Sequence, residues 1–142
     1  PIWLRIVGLG PWRDLAAEFP GLERVDYVGT VPEIGPEYAR ARLVISPLFE
    51  GGGSKIKVIE ACAYGRPVVA TPHSLRGFGD DLPEAVPQAE TAASFADLCC
   101  RYLEDGAAAD ALGAGLQAIQ QAQFYRAAVE ARIASDIRAA LA

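Results

Sequence analysis

The stretch Glu50-Gly51-Gly52-Gly53-Ser54-Lys55-Ile56-Lys57-Val58-Ile59-Glu60 gathers most of the groups in this chain that could do chemistry. Three successive glycines allow a ligand to approach the backbone closely and expose its N–H groups. A helix starting with Ser54 as its N-cap adds unpaired N–H groups and the positive end of the helix dipole. Lys55 and Lys57 place two cations in that first turn, where the dipole disfavours them. An anion above the turn would offset that local cost. The order differs from a P-loop, which needs Gly-Lys-Ser/Thr, because here Ser54 precedes Lys55; an ATPase is therefore a poor fit. Glu50 and Glu60 bracket the stretch. On a helix, the Glu60 carboxylate can accept two hydroxyls from one ribose, and Glu50, at a strand end, can do the same for a sugar ring. The same residues also fit a plainer role, with the lysines on a solvated face, Lys57 paired to Glu60 at i,i+3, and both acids exposed.

Other candidates are sparser. Gly8-Leu9-Gly10-Pro11 begins like a dinucleotide fingerprint, but Arg13 occupies the third glycine position, so the two glycines also fit a simple tight turn. A nicotinamide-dependent dehydrogenase would rest on that fragment alone. Cys62, Cys99 and Cys100 lack any zinc-ligand spacing, and His73 is the only histidine, so no metal site is expected. The thiols read as reduced cysteines in helices of a cytoplasmic protein. His73 falls in a loop after a strand, on the side where ligands bind. Asp80-Asp81 reads as loop surface, and Trp3 and Trp12 as packing at a sheet edge or marking a covered surface.

The elements that must position these groups alternate between short β-branched runs and helical patterns. Strands are expected at Leu4–Gly8, Val25–Val28, Leu43–Ser46 and Pro67–Thr71, with a weak edge strand at Ala85-Val86. Helices are expected from Pro11 to Phe19, Ile34 to Ala41 and Ser54 to Tyr64. The last is stopped by Gly65 with Pro67 beyond. From Thr91 the pattern is helical, at Ala92–Leu103, Ala107–Gln120 and Phe124–Leu141. The third helix is expected to be lined by Ile56, Ile59, Cys62 and Ala63. Continuous apolar strands separated by helices argue a parallel sheet covered on both faces. The reading is therefore a single α/β domain over residues 1–142, a Rossmann-like parallel sheet with flanking helices and a helical C-terminal tail. In such sheets ligands lie beyond the carboxyl ends of the strands, where both glycine turns fall.

The 142 residues are 51% apolar and 22% charged, with a formal net charge of −5. That excludes disorder, and no uninterrupted apolar stretch reaches the roughly 18 residues of a membrane span. The charge is uneven. Residues 1–79 hold nine Lys/Arg and eight Asp/Glu, residues 80–110 one Arg and eight acids, and residues 111–142 three Arg and two acids. No segment is strongly basic, so nucleic acid is not an expected partner, and any bound anion must be held by local geometry. The chain opens at Pro1 directly into an apolar run, which reads as a cut or processed end rather than a signal peptide.

Glu50 through Thr71 (Glu-Gly-Gly-Gly-Ser-Lys-Ile-Lys-Val-Ile-Glu-Ala-Cys-Ala-Tyr-Gly-Arg-Pro-Val-Val-Ala-Thr) resembles the donor-site signature of the family 4, or group 1, glycosyltransferases. Leu4–Pro11, Val25–Val31 and Ala41–Pro47 resemble further segments of that family, in its order and spacing. The resemblance implies one half of a double-Rossmann, GT-B-type enzyme whose C-terminal domain binds a nucleoside-diphosphate sugar. The glycine loop and helix start (Gly51, Gly52, Gly53, Ser54) would hold the diphosphate, with Lys55 and Lys57 contributing charge. Glu60 would hold the ribose and Glu50, the catalytic candidate, would approach the donor sugar. Thr30 and Val31 would lie near the base, and Gly8 and Gly10 would complete the donor site.

The resemblance also implies metal-independent transfer with retained configuration, in keeping with the absence of an Asp-x-Asp motif. No cofactor is implied, since the nucleotide sugar is a substrate. Two departures stand out. Nine residues separate Glu50 from Glu60, where many members have seven. The family's Arg and Lys for the leaving diphosphate fall upstream of Pro1. The chain is thus expected to begin one strand and one helix late, to lack an N-terminal acceptor domain, and to be inactive alone. Peripheral membrane association is expected only of the full-length enzyme. The competing reading is a non-catalytic interaction or regulatory domain that retains the fold.

Overall fold

The computed structural model describes residues 2–18, 22–52 and 55–141, and the side chains of residues 12, 13 and 15 lie outside the description. The chain divides into two compact units, Pro1–Glu37 and Tyr38–Ala142.

In the first unit, β1 (Leu4–Val7) leads through α1 (Trp12–Glu18) to β2 (Val25–Gly29), and the strands pair in parallel with Leu4 opposite Val25 and Arg5 opposite Asp26. Arg5 ties this register down by binding Asp26 across the ladder and donating from Nε to Glu37 at 3.0 Å. The strands lie where the apolar runs predict them, but they are not buried on both faces. Leu4 and Arg5 are exposed and every residue of β2 is half-buried. Trp3, just before β1, is 59% exposed. Gly8, at φ +130°, turns the chain out of β1, and its N–H donates to the Gly29 carbonyl at 2.8 Å, closing the carboxyl end of the pair.

Between Glu37 and Tyr38 the helix α2 (Gly35–Arg40) spans the division. The second unit continues with β3 (Val44–Ser46), α3 (Ile56–Ala63) and β4 (Val68–Ala70), then α4 (Asp81–Ala85), α5 (Ala92–Glu104), α6 (Gly106–Gln123) and α7 (Arg126–Ala140). β3 and β4 pair in parallel, Val44 opposite Val68 and Ser46 opposite Ala70. The described strands form one parallel pair in each unit, and with their helices they give the Rossmann-like α/β pattern expected from the sequence. Apolar runs identify strands, but which strand neighbours which is a long-range choice they do not encode.

The edge strand expected at Ala85-Val86 is absent. Ala85 ends α4, whose first turn carries Asp81 and Glu84, both favoured near a helix N-terminus. The pairing falls slightly later, as a single bridge between Ala70 and Gln88, with Ala70 N–H donating to Pro87 and Ala89 N–H to Ala70.

The core of this unit collects around β4, which is fully buried, with Val69, Ala89 and Phe95 at its centre and Leu43, Ile45 and Leu98 against them. α5 opens with a capping box in which Thr91 and Ser94 satisfy each other's backbone donors. α6 buries a stripe at Ala109, Gly113, Leu116 and Gln120, one face at helical spacing. α7 has no buried residue, and its Ile133 and Ile137, like Leu141 just beyond it, are exposed. The apolar periodicity of the tail is thus used by α5 and α6, and in α7 Val129 is half-buried. All three cysteines are free thiols in helices; burial pushes Cys62 up to about 11 and raises Cys99. Among the described residues, no group of three His, Cys, Asp or Glu is arranged to hold a metal ion, and no helix is long and apolar enough to cross a membrane.

Candidate functional site

The helix that carries the glycine-rich stretch is fixed at its far end by a local code. Gly65 adopts φ +63°, its N–H donates to Cys62, and Arg66 N–H reaches back to Ala61 at 2.9 Å, the paired bonds of a Schellman stop. Gly65 and Pro67 announce this end in the sequence. The other end differs from expectation. α3 begins at Ile56 with Lys55 at the N-cap position and no side-chain cap, while Gly53 and Ser54 lie outside the described residues. The buried face is Val58, Ala61 and Cys62, and Ile56, expected inside, is 62% exposed. The correct apolar stripe runs through Val58 and its i+3 and i+4 neighbours, because α6 and β4 lie on that side.

Above the carboxyl end of β3, Gly51 takes φ +105°, a conformation suited to glycine, with nothing within 4 Å of where a Cβ would stand. Its carbonyl is the focus of the loop. Lys55 Nζ donates to it at 3.3 Å and His73 Nε2 donates to it at 2.8 Å. The second bond requires a proton on Nε2. Lys55 is only 8% exposed, so its ammonium serves this interior contact. In a planar trans peptide the C=O and the following N–H point opposite ways. Anchoring the Gly51 carbonyl therefore directs the Gly52 N–H away from Lys55 and His73. Gly52 itself is exposed, with nothing within 4 Å of where a Cβ would stand. Lys57 and Glu50 are exposed as well.

His73 is placed by a buried hydroxyl cluster that the sequence did not reveal. Pro72–Leu75 forms a 3-10 turn capped by Thr71, whose side chain accepts from Ser74 N–H. Ser74 Oγ donates to the Ser46 carbonyl at 2.6 Å and lies 3.1 Å from Ser46 Oγ, while Leu48 N–H donates to it at 3.3 Å. Thr71 donates to the Leu48 carbonyl. These bonds join the carboxyl ends of β3 and β4 and the start of the glycine loop into one polar knot, with Ser46, Thr71 and Ser74 all buried.

Glu60 sits on the same helix as Lys57, half-buried, and Tyr38 Oη lies 3.1 Å from its Oε2 and 3.4 Å from the Lys57 carbonyl. As a phenol, Tyr38 donates to the carboxylate. Burial, followed by the Glu60 charge, raises the Tyr38 hydroxyl well above its ordinary value, so it stays a donor. The Tyr38 ring stacks on Tyr64, centroids 4.9 Å apart at 14°. The carboxylate thus has one oxygen held from behind by a residue that motif reading missed.

The structure brings Gly51, Gly52, Lys55, Lys57 and Glu60 together along one loop and helix, with Glu50 preceding them in the loop. In the first unit, Gly8, Gly10, Thr30 and Val31 gather after the carboxyl ends of β1 and β2. Asp80 and Asp81 are exposed at the start of α4.

Residues 1–105 match the family model described as Glycosyl transferases group 1. No curated protein gives a significant match. The matched segment spans both parallel strand pairs, the glycine loop and α3, and it covers well over half of the chain. The chain belongs to the group 1 glycosyltransferases.

Proposed function

We propose that this chain is the donor-binding part of its enzyme and holds a nucleoside-diphosphate sugar for metal-independent, retaining transfer. The observation that carries this reading is the anchoring of the Gly51 carbonyl by Lys55 and His73. It leaves the Gly52 N–H preset to face a ligand rather than the loop interior. In the proposal the diphosphate lies on Gly51, Gly52, Gly53 and Ser54, with the exposed Lys57 ammonium beside it. Glu60, steadied by Tyr38, accepts the ribose hydroxyls with its remaining lone pairs. Glu50 approaches the donor sugar.

Cleavage of the sugar–phosphate bond puts negative charge on the leaving diphosphate and positive character on the sugar carbon. Preorganised N–H donors and cations stabilise that leaving group because they need no reorganisation as charge develops. A carboxylate near the sugar favours the cationic carbon. An N-terminal acceptor domain would hold the acceptor, whose nucleophilic group bonds to the sugar carbon as the diphosphate leaves, and would exclude water. The chain alone is therefore proposed to bind donor without transferring it, and no resident cofactor is invoked.

The test is titration of the chain with UDP, GDP and ADP, followed by calorimetry and backbone amide shifts. One nucleotide should bind and move the amides of Gly51 to Glu60. Absence of both heat and shifts for all three would overturn the reading. Glu60→Ala should weaken that binding at least about tenfold, since two hydroxyl-to-carboxylate bonds are lost. Unchanged binding would instead favour a non-catalytic interaction domain.

A further inference from the structure

A cavity of about 480 Å³ opens at the amino ends of β3 and β4, the opposite end of this strand pair from the glycine loop. Its lining includes Arg40, Arg42, Arg66, Asp110, Gln117 and Tyr64. Three arginines line it against one acidic residue, a local reversal in a chain of net charge −5. The arginines come from three places: the end of α2, the turn before β3, and the turn between α3 and β4. Their convergence is therefore a product of the fold and not of a basic run.

One of the three is held in place by backbone. Arg66 donates from Nε to the Tyr64 carbonyl at 3.1 Å and from Nη1 to the Ala41 carbonyl at 3.3 Å. That engages two of its five N–H donors and fixes the plane of the fork. Arg42 occupies space that Gly106 leaves open, since a Cβ on Gly106 would stand 2.9 Å from Arg42 Nη2. The remaining chemistry suits hydroxyls and a flat apolar face. Asp110 accepts, Gln117 donates and accepts, and the Tyr64 residue is 43% exposed beside them. A planar arginine fork matches phosphate oxygens in a paired geometry. The volume lies in the range of small-ligand sites.

We propose that this cavity is a second binding site, for a phosphorylated sugar, with the phosphate on Arg42 and Arg66 and the hydroxyls on Asp110 and Gln117. It is separate from the donor site and does not depend on that reading. Polarised arginines alone would take any anion, whereas Asp110 opposes bare anions and rewards a ligand that brings hydroxyls.

The experiment titrates the chain with glucose 6-phosphate, inorganic phosphate and glucose, followed by amide shifts. Glucose 6-phosphate should bind at least about tenfold more tightly than either fragment, moving the amides of Gly65, Arg66 and Gly106 and leaving Gly51 and Gly52 unmoved. Arg42→Glu, an exposed position whose reversal leaves the fold intact, should abolish this binding and leave UDP-induced shifts at the glycine loop unchanged. Asp110→Asn should narrow the preference for the sugar phosphate over inorganic phosphate. Shifts confined to Gly51–Glu60, equal binding of inorganic phosphate, or binding that survives Arg42→Glu would each refute the proposal. Failure of UDP to bind bears only on the donor reading, because the two sets of amides are distinct.

Discussion

Gly113 and Gly115 lie two residues apart on α6 and should respond in opposite directions to the same substitution. A Cβ on Gly113 would stand 2.3 Å from the Gly65 carbonyl oxygen, 3.1 Å from its carbon and 3.3 Å from Pro67 N. Those are backbone atoms of the Schellman turn between α3 and β4, so no side chain can rotate away. The overlap is about 1 Å beyond ordinary van der Waals contact, which puts Gly113→Ala near the upper end of the roughly 1–3 kcal/mol cost of overpacking. Helix propensity returns about 0.5–1 kcal/mol of that. The net loss is about 2 kcal/mol, or a fall in Tm of roughly 6–8 °C for a chain of this size. Gly115 has nothing within 4 Å and is exposed, so Gly115→Ala keeps only the propensity gain and should raise Tm by about 2–3 °C. Urea and thermal denaturation, followed by both far-ultraviolet circular dichroism and tryptophan fluorescence, measure the pair. A Gly113→Ala chain as stable as the parent would mean that α6 does not sit against Gly65. A Gly115→Ala chain that loses stability would refute the use of propensity at this position.

Further consequences follow from the site and its supports. His73→Ala removes one of two donors to the Gly51 carbonyl and should weaken UDP binding several-fold in calorimetry while costing about 1 kcal/mol or less in stability; unchanged binding would show that Lys55 suffices to orient the loop. Ser74→Ala strips a buried hydroxyl that serves Leu48 N–H, Ser46 and Thr71, and should cost about 1–3 kcal/mol in urea denaturation. Tyr38→Phe should leave the fold intact and loosen Glu60, weakening UDP binding less than Glu60→Ala does. Cys62 is raised from about 9 to about 11 by burial, so the unfolded chain releases this proton first. Its contribution to stability is complete below about pH 9 and falls as pH rises toward 11, and Cys62→Ala should flatten that decline in denaturation curves taken across the interval.

What the sequence by itself determined about this protein was local or linear. The end of α3 at Gly65-Arg66-Pro67, the positions of all four strands and the turn glycines follow from φ preferences, missing donors and apolar runs, each settled within a few neighbours. The family signature from Glu50 to Thr71 is linear in the same sense, since spacing along one loop and helix carries it. Tertiary structure decided what those segments meet. Of the expected lining of α3, Cys62 is buried and Ile59 half-buried, while Val58 and Ala61 take the places of Ile56 and Ala63, because burial depends on where α6 and β4 lie. His73 on Gly51, Tyr38 on Glu60, the Ser46–Thr71–Ser74 knot and the three arginines of the cavity each join residues twenty or more positions apart, or elements with no shared local code. A lone histidine or tyrosine carries no signal of its partner in sequence. Its hydrogen-bonding capacity is fixed by its type, but which carbonyl or carboxylate comes within 3 Å is set only when the strands pair and the helices close over them.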